Sequence, residues 1–336
     1  MRLSDLARGA GAVLEGNSDV EVTGIAYDSR RVAEGDLFVA VQGLHVDGHV
    51  YLADAVAKGA VALALERDVK VPAGIPVLHL PSTRIGLAEL SAEFYGRPSR
   101  RLKLAGITGT DGKTTVTHMA EHVLQASGIV AGAMSTVAFK VSGREVDNVS
   151  GQTTTEAPEV QGWLARMLEA GAACAVIETT SHALVQERVH ACDFDVAAFT
   201  NVGHDHLDYH GSWEDYVRAK GRLIELCAAA YPKGVPKTAV LNRGDASYGH
   251  LAAVPVERRL TYALDGAADL GAVSLVTDQA GSRFLLRHGR LDVGAQAVAA
   301  ERVWSHVDDA HDVGAASPLE RAARDLGDHG LRIIAW

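Results

Sequence analysis

The stretch Gly106-Ile107-Thr108-Gly109-Thr110-Asp111-Gly112-Lys113-Thr114-Thr115 decides the fold. Residues 102–107 form a short apolar run that predicts a strand, and residues 114–126 have the pattern of a helix. A glycine-bearing loop between a strand and a helix places backbone N–H groups and a helix N-terminus where they can bind phosphate. The stretch therefore predicts the opening βα unit of a nucleotide-binding sheet.

Two side chains of this loop have defined tasks in phosphate loops. The lysine, here Lys113, reaches the terminal phosphates, and the following Thr114 places a hydroxyl on Mg²⁺. Five residues separate Gly106 from Gly112, one more than in the general pattern, so the loop is a variant. The alternative interpretation is a tight glycine turn without a ligand, and the flanking strand and helix favour the phosphate loop.

The chain on both sides of the loop alternates between strand and helix patterns. After the loop, we predict strands at 175–177, 196–200 and 238–241, and a helix at 213–229 whose Ser212-x-x-Asp215 start resembles a capping box. Before it, we predict a strand at 37–41, a helix at 53–58 and a helix from about 85, and then the turn-forming cluster Tyr95-Gly96-Arg97-Pro98-Ser99. The pattern predicts an α/β protein with a small N-terminal unit, residues 1–98, and a doubly wound, mostly parallel central unit, residues 99–287.

The composition excludes several classes of protein. The chain has 336 residues, 47% hydrophobic and 22% charged, which excludes global disorder, and its net charge of −10 disfavours nucleic acid as a partner. The three cysteines have no CxxC spacing, so a reducing cytoplasm fits best. The N-terminus shows no export signal. Residues 122–139 lack charged side chains, but polar residues and glycines interrupt them, which favours a buried helix, loop and strand over a membrane span.

The last residues, 288–336, have a biased composition in which strand-like alternation fades. Ala, Asp, Arg, Gly, Val and His account for 35 of these 49 residues. Two interpretations stay open: a charged helical extension, and residues read from another frame of a GC-rich gene.

Several motifs beyond the phosphate loop are similar to those of the Mur ligase family. Three segments resemble the family's N-terminal domain: Asp28-Ser29-Arg30, Gly35-Asp36-Leu37-Phe38-Val39-Ala40 and Gly43-Leu44-His45-Val46-Asp47-Gly48-His49. Four further segments resemble the branch of the family that forms UDP-N-acetylmuramoyl tripeptide: Gln152-Thr153-Thr154-Thr155-Glu156, Glu178-Thr179-Thr180-Ser181-His182, Gln186-x-Arg188-Val189 and Asp205-His206-Leu207-Asp208-Tyr209-His210-Gly211.

The resemblance implies roles for individual residues. It implies ATP binding by Gly109, Thr110, Asp111, Gly112, Lys113, Thr114 and Thr115. It implies contacts to the nucleotide-sugar substrate by Ser29, His45, Thr153, Thr154, Thr180, Gln186 and Arg188. It implies catalytic roles for Lys113, Glu178, His206 and Lys220, and Mg²⁺ ligation by Thr114, Glu178, His206 and a carbamylated Lys220. It also places Asn242 and Asp245 in a family turn. Taken singly, these residue types are more often structural or solvated.

The implied activity is that of an ATP-dependent amide ligase. It adds meso-diaminopimelate or L-lysine to UDP-N-acetylmuramoyl-L-alanyl-D-glutamate, with ATP and Mg²⁺, and we expect a monomer with no nucleic-acid or membrane partner. The family also has a Phe-Asn-x-x-Asn segment near the adenine and a C-terminal domain, whereas asparagine occurs here only at positions 17, 148, 201 and 242. We therefore expect this chain to lack that domain. The alternative function is a truncated, non-catalytic nucleotide-sugar-binding fragment.

Overall fold

A computed structural model describes residues 1–43, 46–141, 143–148, 150–264, 268–278, 281–288 and 291–298. Two sheets organise them, and the short 3₁₀ turn Pro98–Arg100 connects one to the other. The predicted boundary at residue 98 falls in this turn.

The N-terminal unit is a five-stranded sheet covered by helices. Its strands are β1 (Val13–Glu15), β2 (Gly24–Ala26), β3 (Asp36–Val39), β4 (Ala62–Leu65) and β5 (Val77–His79), and its helices are α1 (Leu3–Gly9), α2 (Leu52–Ala57) and α3 (Thr83–Phe94). The strand order is β1-β5-β4-β3-β2, parallel except for β1. The predicted strand at 37–41 and helix at 53–58 are confirmed as β3 and α2, and α3 is the helix predicted from about residue 85.

The central unit is built on a larger sheet, of eleven strands in the described residues. Its helices are α4 (Lys113–Ala126), α5 (Ala157–Glu169), α6 (Ser181–Val185), α7 (Leu207–His210), α8 (Trp213–Ala229) and α9 (Tyr248–Ala252). Its strands are β6 (Lys103–Thr108), β7 (Ala131–Met134), β8 (Ala138–Val141), β9 (Arg144–Asp147), β10 (Cys174–Glu178), β11 (Val196–Phe199), β12 (Thr238–Asn242), β13 (Arg258–Ala263), β14 (Leu270–Asp278), β15 (Gly281–His288) and β16 (Leu291–Val298).

The middle of this sheet is parallel, which confirms the predicted doubly wound α/β class. The order is β16-β15-β14-β13-β12-β11-β6-β10-β7-β8-β9, and every pairing from β14 to β7 is parallel. Each predicted strand of this unit is present. Ser212 caps α8, because its Oγ accepts a hydrogen bond from Asp215 N at 3.1 Å, but the Asp215 carboxylate accepts from the Ser212 hydroxyl at 2.6 Å, so only the first half of the predicted capping box is present. The uncharged segment 122–139 forms the end of α4, a loop, β7 and the start of β8.

Both edges of the sheet are antiparallel, which the sequence patterns do not predict. Strands β8 and β9 form a hairpin against β7, and β14 to β16 form a meander at the other edge. Strand β16 lies within 288–336, where strand-like alternation was expected to fade. That expectation is wrong for Leu291–Val298, since this segment pairs with β15 along its whole length.

The two units share packed surface. Ala157 and Ala191 belong by sequence to the central unit, yet they are buried within the apolar core formed by α1, α3 and the N-terminal sheet. Helix α3 packs on α5. The units are therefore joined by a continuous core as well as by the chain.

Across the described ranges, no helix is both long enough and apolar enough to cross a membrane.

Candidate functional site

The candidate site lies at the carboxyl ends of β6, β10 and β11, three adjacent parallel strands. Open α/β sheets bind ligands at this edge, because the loops that leave neighbouring strands meet there. Strand β6 leads into the phosphate loop, β10 ends at Glu178, and β11 leads to Thr200 and Asn201. The fold thus brings three separate sequence motifs to one edge.

The phosphate loop is held from below by the segment after β11. Asn201 O accepts a hydrogen bond from Thr110 N at 2.8 Å, and Asn201 Oδ1 accepts one from Asp111 N at 3.0 Å. Thr200 Oγ1 donates to Asp111 O at 2.7 Å. Sequence reasoning missed this pair of residues. The available signal was a Thr-Asn pair at the end of the predicted strand 196–200.

Two glycines of the loop adopt backbone conformations that other residues rarely take. Gly112 has φ +76° and precedes the first residue of α4, and Gly109 has φ +153°. A Cβ on Gly109 would lie 1.8 Å from Thr200 Oγ1. Glycine is therefore required at Gly109 both for its backbone angle and for the close approach of the supporting segment.

Thr114 and Glu178, both predicted as Mg²⁺ ligands, contact each other. Thr114 Oγ1 donates a hydrogen bond to Glu178 Oε2 at 2.9 Å, and the same oxygen accepts from Thr136 N at 3.0 Å. Glu178 is 2% exposed, so this carboxylate is buried beside the loop. Lys113 Nζ lies on the loop itself, where it donates to Thr110 O at 2.8 Å.

The donor set around Thr114 suits Mg²⁺. This cation prefers oxygen ligands and is commonly held by one or two protein groups together with substrate phosphates. Thr114 Oγ1 and Glu178 Oε2 supply two such oxygens at the start of α4. Within the described ranges, no group of three or more His, Cys, Asp or Glu side chains is arranged to hold a metal by itself.

Lys220 is buried, contrary to the solvated helix-face position that such a lysine most often has. It is 1% exposed, and Nζ donates to Gly109 O at 2.6 Å from beneath the loop. Its ammonium also lies 4.4 Å from the ring centre of Tyr216. Burial, reinforced by the charge of Lys113, lowers the pKa of Lys220 to about 7.

His206 contacts neighbouring aromatic rings and Asp205. Its backbone is left-handed, with φ +53°, and its side chain is 48% exposed. The ring centre lies 6.3 Å from that of Tyr216 and 4.8 Å from that of His182. Of the predicted Mg²⁺ ligands, Thr114 and Glu178 are bonded directly to each other, whereas Lys220 lies under the loop and His206 contacts Tyr216 and His182.

The predicted substrate residues of the central unit form one connected group. Thr154 Oγ1 donates to Glu178 O at 2.9 Å and accepts from Thr180 N at 3.2 Å. Arg188 donates through Nη1 to Thr154 O and through Nη2 to Gln186 Oε1, both at 2.7 Å. This group is therefore bonded directly to the strand end that carries Glu178.

The other predicted residues stand apart from this group. Ser29 is in the N-terminal unit, in the turn after β2, and its carbonyl accepts from Lys58 Nζ at 2.8 Å. Thr153 is half-buried and Thr115 is exposed on α4. His45 lies outside the described residues.

The sequence did not predict the contact of three aromatic rings, His182, Tyr209 and His210, beside the substrate group. The ring centre of His182 lies 4.2 Å from that of Tyr209 and 5.6 Å from that of His210. Burial lowers the pKa of both histidines, and each is lowered further by a neighbouring histidine, His206 beside His182 and His182 beside His210. These surroundings favour the neutral form of both rings. The family motifs contained these residues, but nothing in their spacing indicated stacking.

A wide cavity of about 680 Å³ opens behind these rings. It lies along the face of α8 that carries Arg218 and Arg222, and it is bordered by Tyr209 and His210. The phosphate loop does not contribute to its lining.

Asn242 and Asp245 support the floor of the site. Asn242 Nδ2 donates to Thr200 O at 3.1 Å, and Asp245 Oδ2 accepts from Val202 N at 3.1 Å. They brace the segment after β11, which in turn holds the phosphate loop.

Comparison with known families gives two matches. A model described as the Mur ligase middle domain matches residues 107–300, and one described as the Mur ligase family, catalytic domain, matches residues 21–95. The first alone covers more than half of the chain.

The curated relatives agree with these matches. UDP-N-acetylmuramyl-tripeptide synthetase of Roseiflexus sp. is 46% identical over 275 residues, which are 79% of this chain and 54% of the relative. UDP-N-acetylmuramoyl-L-alanyl-D-glutamate--2,6-diaminopimelate ligase of Bacillus licheniformis is 40% identical over 269 residues, 80% of this chain and 54% of the relative. The chain thus spans about half the length of these relatives.

Solved structures show the same fold. A UDP-N-acetylmuramoyl-L-alanyl-D-glutamate--2,6-diaminopimelate ligase superposes with a TM-score of 0.73 at 25% identity, covering 88% of this chain and 60% of the other. MurF from Acinetobacter baumannii superposes with a TM-score of 0.62 at 20% identity, covering 90% and 62%.

Proposed function

Because this chain belongs to the Mur ligase family, we propose that it carries the substrate-binding and ATP-binding units of an ATP-dependent amide ligase. The substrate is UDP-N-acetylmuramoyl-L-alanyl-D-glutamate, to which an amino acid, meso-diaminopimelate or L-lysine, is added in peptidoglycan biosynthesis. Cell shape and division depend on that product. The names of the relatives, one after the tripeptide product and one after the dipeptide substrate, support this choice.

The reaction requires activation because a free carboxylate is a poor electrophile. The γ-phosphoryl group of ATP passes to an oxygen of the D-glutamate carboxylate, which gives an acyl phosphate and ADP. The amine of the incoming amino acid then attacks the acyl carbon, loses a proton and expels inorganic phosphate. The balanced products are the amide, ADP and phosphate.

The described residues can perform the binding part of this chemistry. The loop amides and the N-terminus of α4 face the phosphates, and Lys113 offsets charge on the transferred group. Thr114 and Glu178 would hold Mg²⁺, which when bound neutralises phosphate charge. Arg188 offers a planar set of donors suited to a carboxylate of the peptide.

The observation that carries the proposal is the continuity of the site. Thr154 bonds both to Arg188 and to the carbonyl of Glu178, so the residue expected to bind the peptide and the residue expected to hold Mg²⁺ share one rigid connection. A generic phosphate-binding ATPase has no need for that connection or for the N-terminal unit.

We further propose that Lys220 is carbamylated. A neutral amine can attack CO₂, and a lysine with a pKa of about 7 is largely neutral slightly above that pH. The carbamate would replace a cation with oxygen ligands beneath the phosphate loop. In bicarbonate, the intact mass should rise by the carbamate increment, and Lys220→Arg should abolish the rise. An unmodified wild-type mass at saturating bicarbonate would refute carbamylation.

We also propose that the chain acts as a monomer in the cytoplasm. All residues of the proposed site come from one chain, ATP is a cytoplasmic substrate, and the net charge of −10 disfavours nucleic acid.

The direct test measures binding and turnover separately. Calorimetry with UDP-N-acetylmuramoyl-L-alanyl-D-glutamate should give saturable heat that UDP-glucose does not reproduce. Phosphate release is then followed with ATP and Mg²⁺, with and without each candidate amino acid, and the amino acid that yields amide identifies the acceptor. Binding without product would favour the nucleotide-sugar-binding alternative. Absence of binding would remove the proposed function.

A further inference from the structure

Glu156 connects the two units at the edge of the candidate site. It precedes α5, its side chain is 9% exposed, and each carboxylate oxygen faces a different arginine. Oε2 lies 3.1 Å from Nη1 of Arg84, which belongs to α3 of the N-terminal unit. Oε1 lies 3.0 Å from Nε of Arg188, in an ion pair whose N–H does not point along the line to the oxygen.

The remaining contacts of Arg188 leave part of its guanidinium available. Nη1 and Nη2 each donate one hydrogen bond, to Thr154 O and to Gln186 Oε1. A guanidinium has five N–H donors, so one N–H remains on each terminal nitrogen. With Nε beside Glu156, the orientation of those two free donors is set by three protein groups.

The charges of this group leave the site cationic. One carboxylate lies between two guanidinium groups, so Glu156, Arg84 and Arg188 together carry one net positive charge. Glu156 therefore orients Arg188 without cancelling its attraction for an anionic ligand. The N-terminus of α5 suits the Glu156 carboxylate itself, because the N-terminus of a helix favours negative charge.

We propose that Glu156 is a positioning residue, which fixes the Arg188 guanidinium for a carboxylate of the substrate peptide and ties that orientation to the N-terminal unit through Arg84. This inference rests on the proposed function. A substrate that extends from the N-terminal unit to the phosphate loop is then bound by an arginine whose geometry depends on both units. Through Thr154, the same geometry continues to the strand end that carries Glu178.

Glu159 provides a matched control. It lies in the first turn of the same helix and also contacts the N-terminal unit, with Oε1 at 3.1 Å from Tyr27 Oη and 3.3 Å from Arg31 Nη1. Glu159→Gln therefore disturbs a comparable contact between the units. Within the described part of the chain, the side-chain hydrogen bonds and ion pairs of Glu159 lead to Tyr27 and Arg31 and not to Arg188.

The experiment compares Glu156→Gln and Glu159→Gln in the full chain. Calorimetry measures binding of UDP-N-acetylmuramoyl-L-alanyl-D-glutamate and of UDP, which lacks the peptide. Glu156→Gln should weaken the dipeptide ligand about tenfold, the lower end of the effect seen when partners that orient ligating groups in metal sites are removed. UDP should change less than about twofold, and Glu159→Gln should treat both ligands alike. Thermal unfolding checks that each variant is folded. If Glu156→Gln does not fold, Glu156→Asp, which keeps the charge, replaces it in the comparison.

A second measurement needs no substrate. Arginine-specific dicarbonyl labelling, followed by mass spectrometry, should modify Arg188 several times faster in the Glu156 variant than in the wild type or in Glu159→Gln. Unchanged labelling of Arg188, or equal loss of dipeptide affinity in both variants, would overturn the positioning role. If Arg188 is labelled faster in the Glu156 variant but the wild-type chain does not bind the dipeptide ligand, the positioning role of Glu156 stands and the proposed function is refuted.

Discussion

Buried lysines lie at both the carboxyl and the amino ends of the strands of the large sheet, but their charged surroundings differ. At the carboxyl ends of the strands, Lys220 is 1% exposed and donates to a carbonyl of the phosphate loop. At the amino ends, Lys233 and Lys237 have side chains 4% and 3% exposed, and both contact Asp195. Equal burial therefore goes with opposite electrostatic surroundings.

The amino end is a closed structural cluster. Asp195 precedes β11, and its carboxylate accepts from Lys237 Nζ at 3.0 Å and from Leu104 N at 2.9 Å. Lys233 Nζ lies 2.5 Å from the same carboxylate and also donates to the carbonyls of Ser99 and Leu102. Every one of these contacts joins separate segments, so the lysines act as connectors.

The carboxyl end leaves its lysine uncompensated. In the described residues, no carboxylate lies within ion-pair distance of Lys220 Nζ, and burial accordingly lowers its pKa to about 7. A structural lysine is paired, whereas a buried lysine without a counter-ion costs stability and is retained where its reactivity is used. The contrast favours the carboxyl end of the sheet as the place where the reactivity of a lysine is used.

Loss of the shared carboxylate at the amino end should have the largest effect. Asp195→Asn leaves two buried lysines without their common partner, and breaking a buried ion pair in this way costs about 3–5 kcal/mol. We expect that loss in the free energy of unfolding, measured by urea denaturation, with ADP affinity unchanged under conditions where the variant is folded. A loss below about 1 kcal/mol would mean that the cluster is not structural.

Removal of the loop lysine should weaken ADP binding and leave the stability unchanged, the reverse of the result expected for Asp195→Asn. Lys113→Ala deletes a charge that faces phosphate and removes no core volume, so ADP binding should weaken by about 1.5–3 kcal/mol, the range for hydrogen bonds to charged groups. Calorimetry measures the affinity, and urea denaturation should show an unchanged free energy of unfolding. A matched loss of stability would show that the lysine supports the loop rather than the nucleotide.

The smallest expected effect concerns pH and Lys220. Its pKa is about 7 when folded, whereas an unfolded lysine titrates near 10.4, so between these values the unfolded chain binds more protons. The cost of burying the charge is complete below pH 7 and is relieved as pH rises. Relative to Lys220→Met, wild-type stability should therefore rise by about 1 kcal/mol per pH unit between pH 7 and 9 in CO₂-free buffer. Parallel stability profiles would contradict the depressed pKa.

The sequence predicts the centre of the large sheet better than its edges. Strands β6, β10, β11 and β12 are short apolar runs buried on both faces, which is the pattern that parallel strands require. Strand β7, Ala131–Met134, which joins the parallel centre to the antiparallel hairpin, is built of Ala, Gly and Met, and such residues carry little strand propensity. Its place depends on pairing with β10, which only the fold supplies.

The candidate site shows the same division. Residues 109–115 lie next to one another in the chain, so a phosphate loop could be predicted from them, whereas the contact of Thr114 with Glu178 appears only when β10 pairs with β6. The support of the loop by Thr200 and Asn201 depends on hydrogen bonds across 89 to 91 residues of sequence. The burial of Lys220 was equally hidden, because its face of α8 is defined only once that helix packs on the sheet.

Ala157 and Ala191, which lie in the core of the N-terminal unit, bear on how the chain unfolds. Separation of the two sheets would expose this apolar surface to water together with the charges of Glu156 and Glu159, so neither unit has a closed surface of its own. Heat or denaturant should thus melt both units in one cooperative transition, and a protease that cuts near residue 98 should act only on molecules in which both are already open.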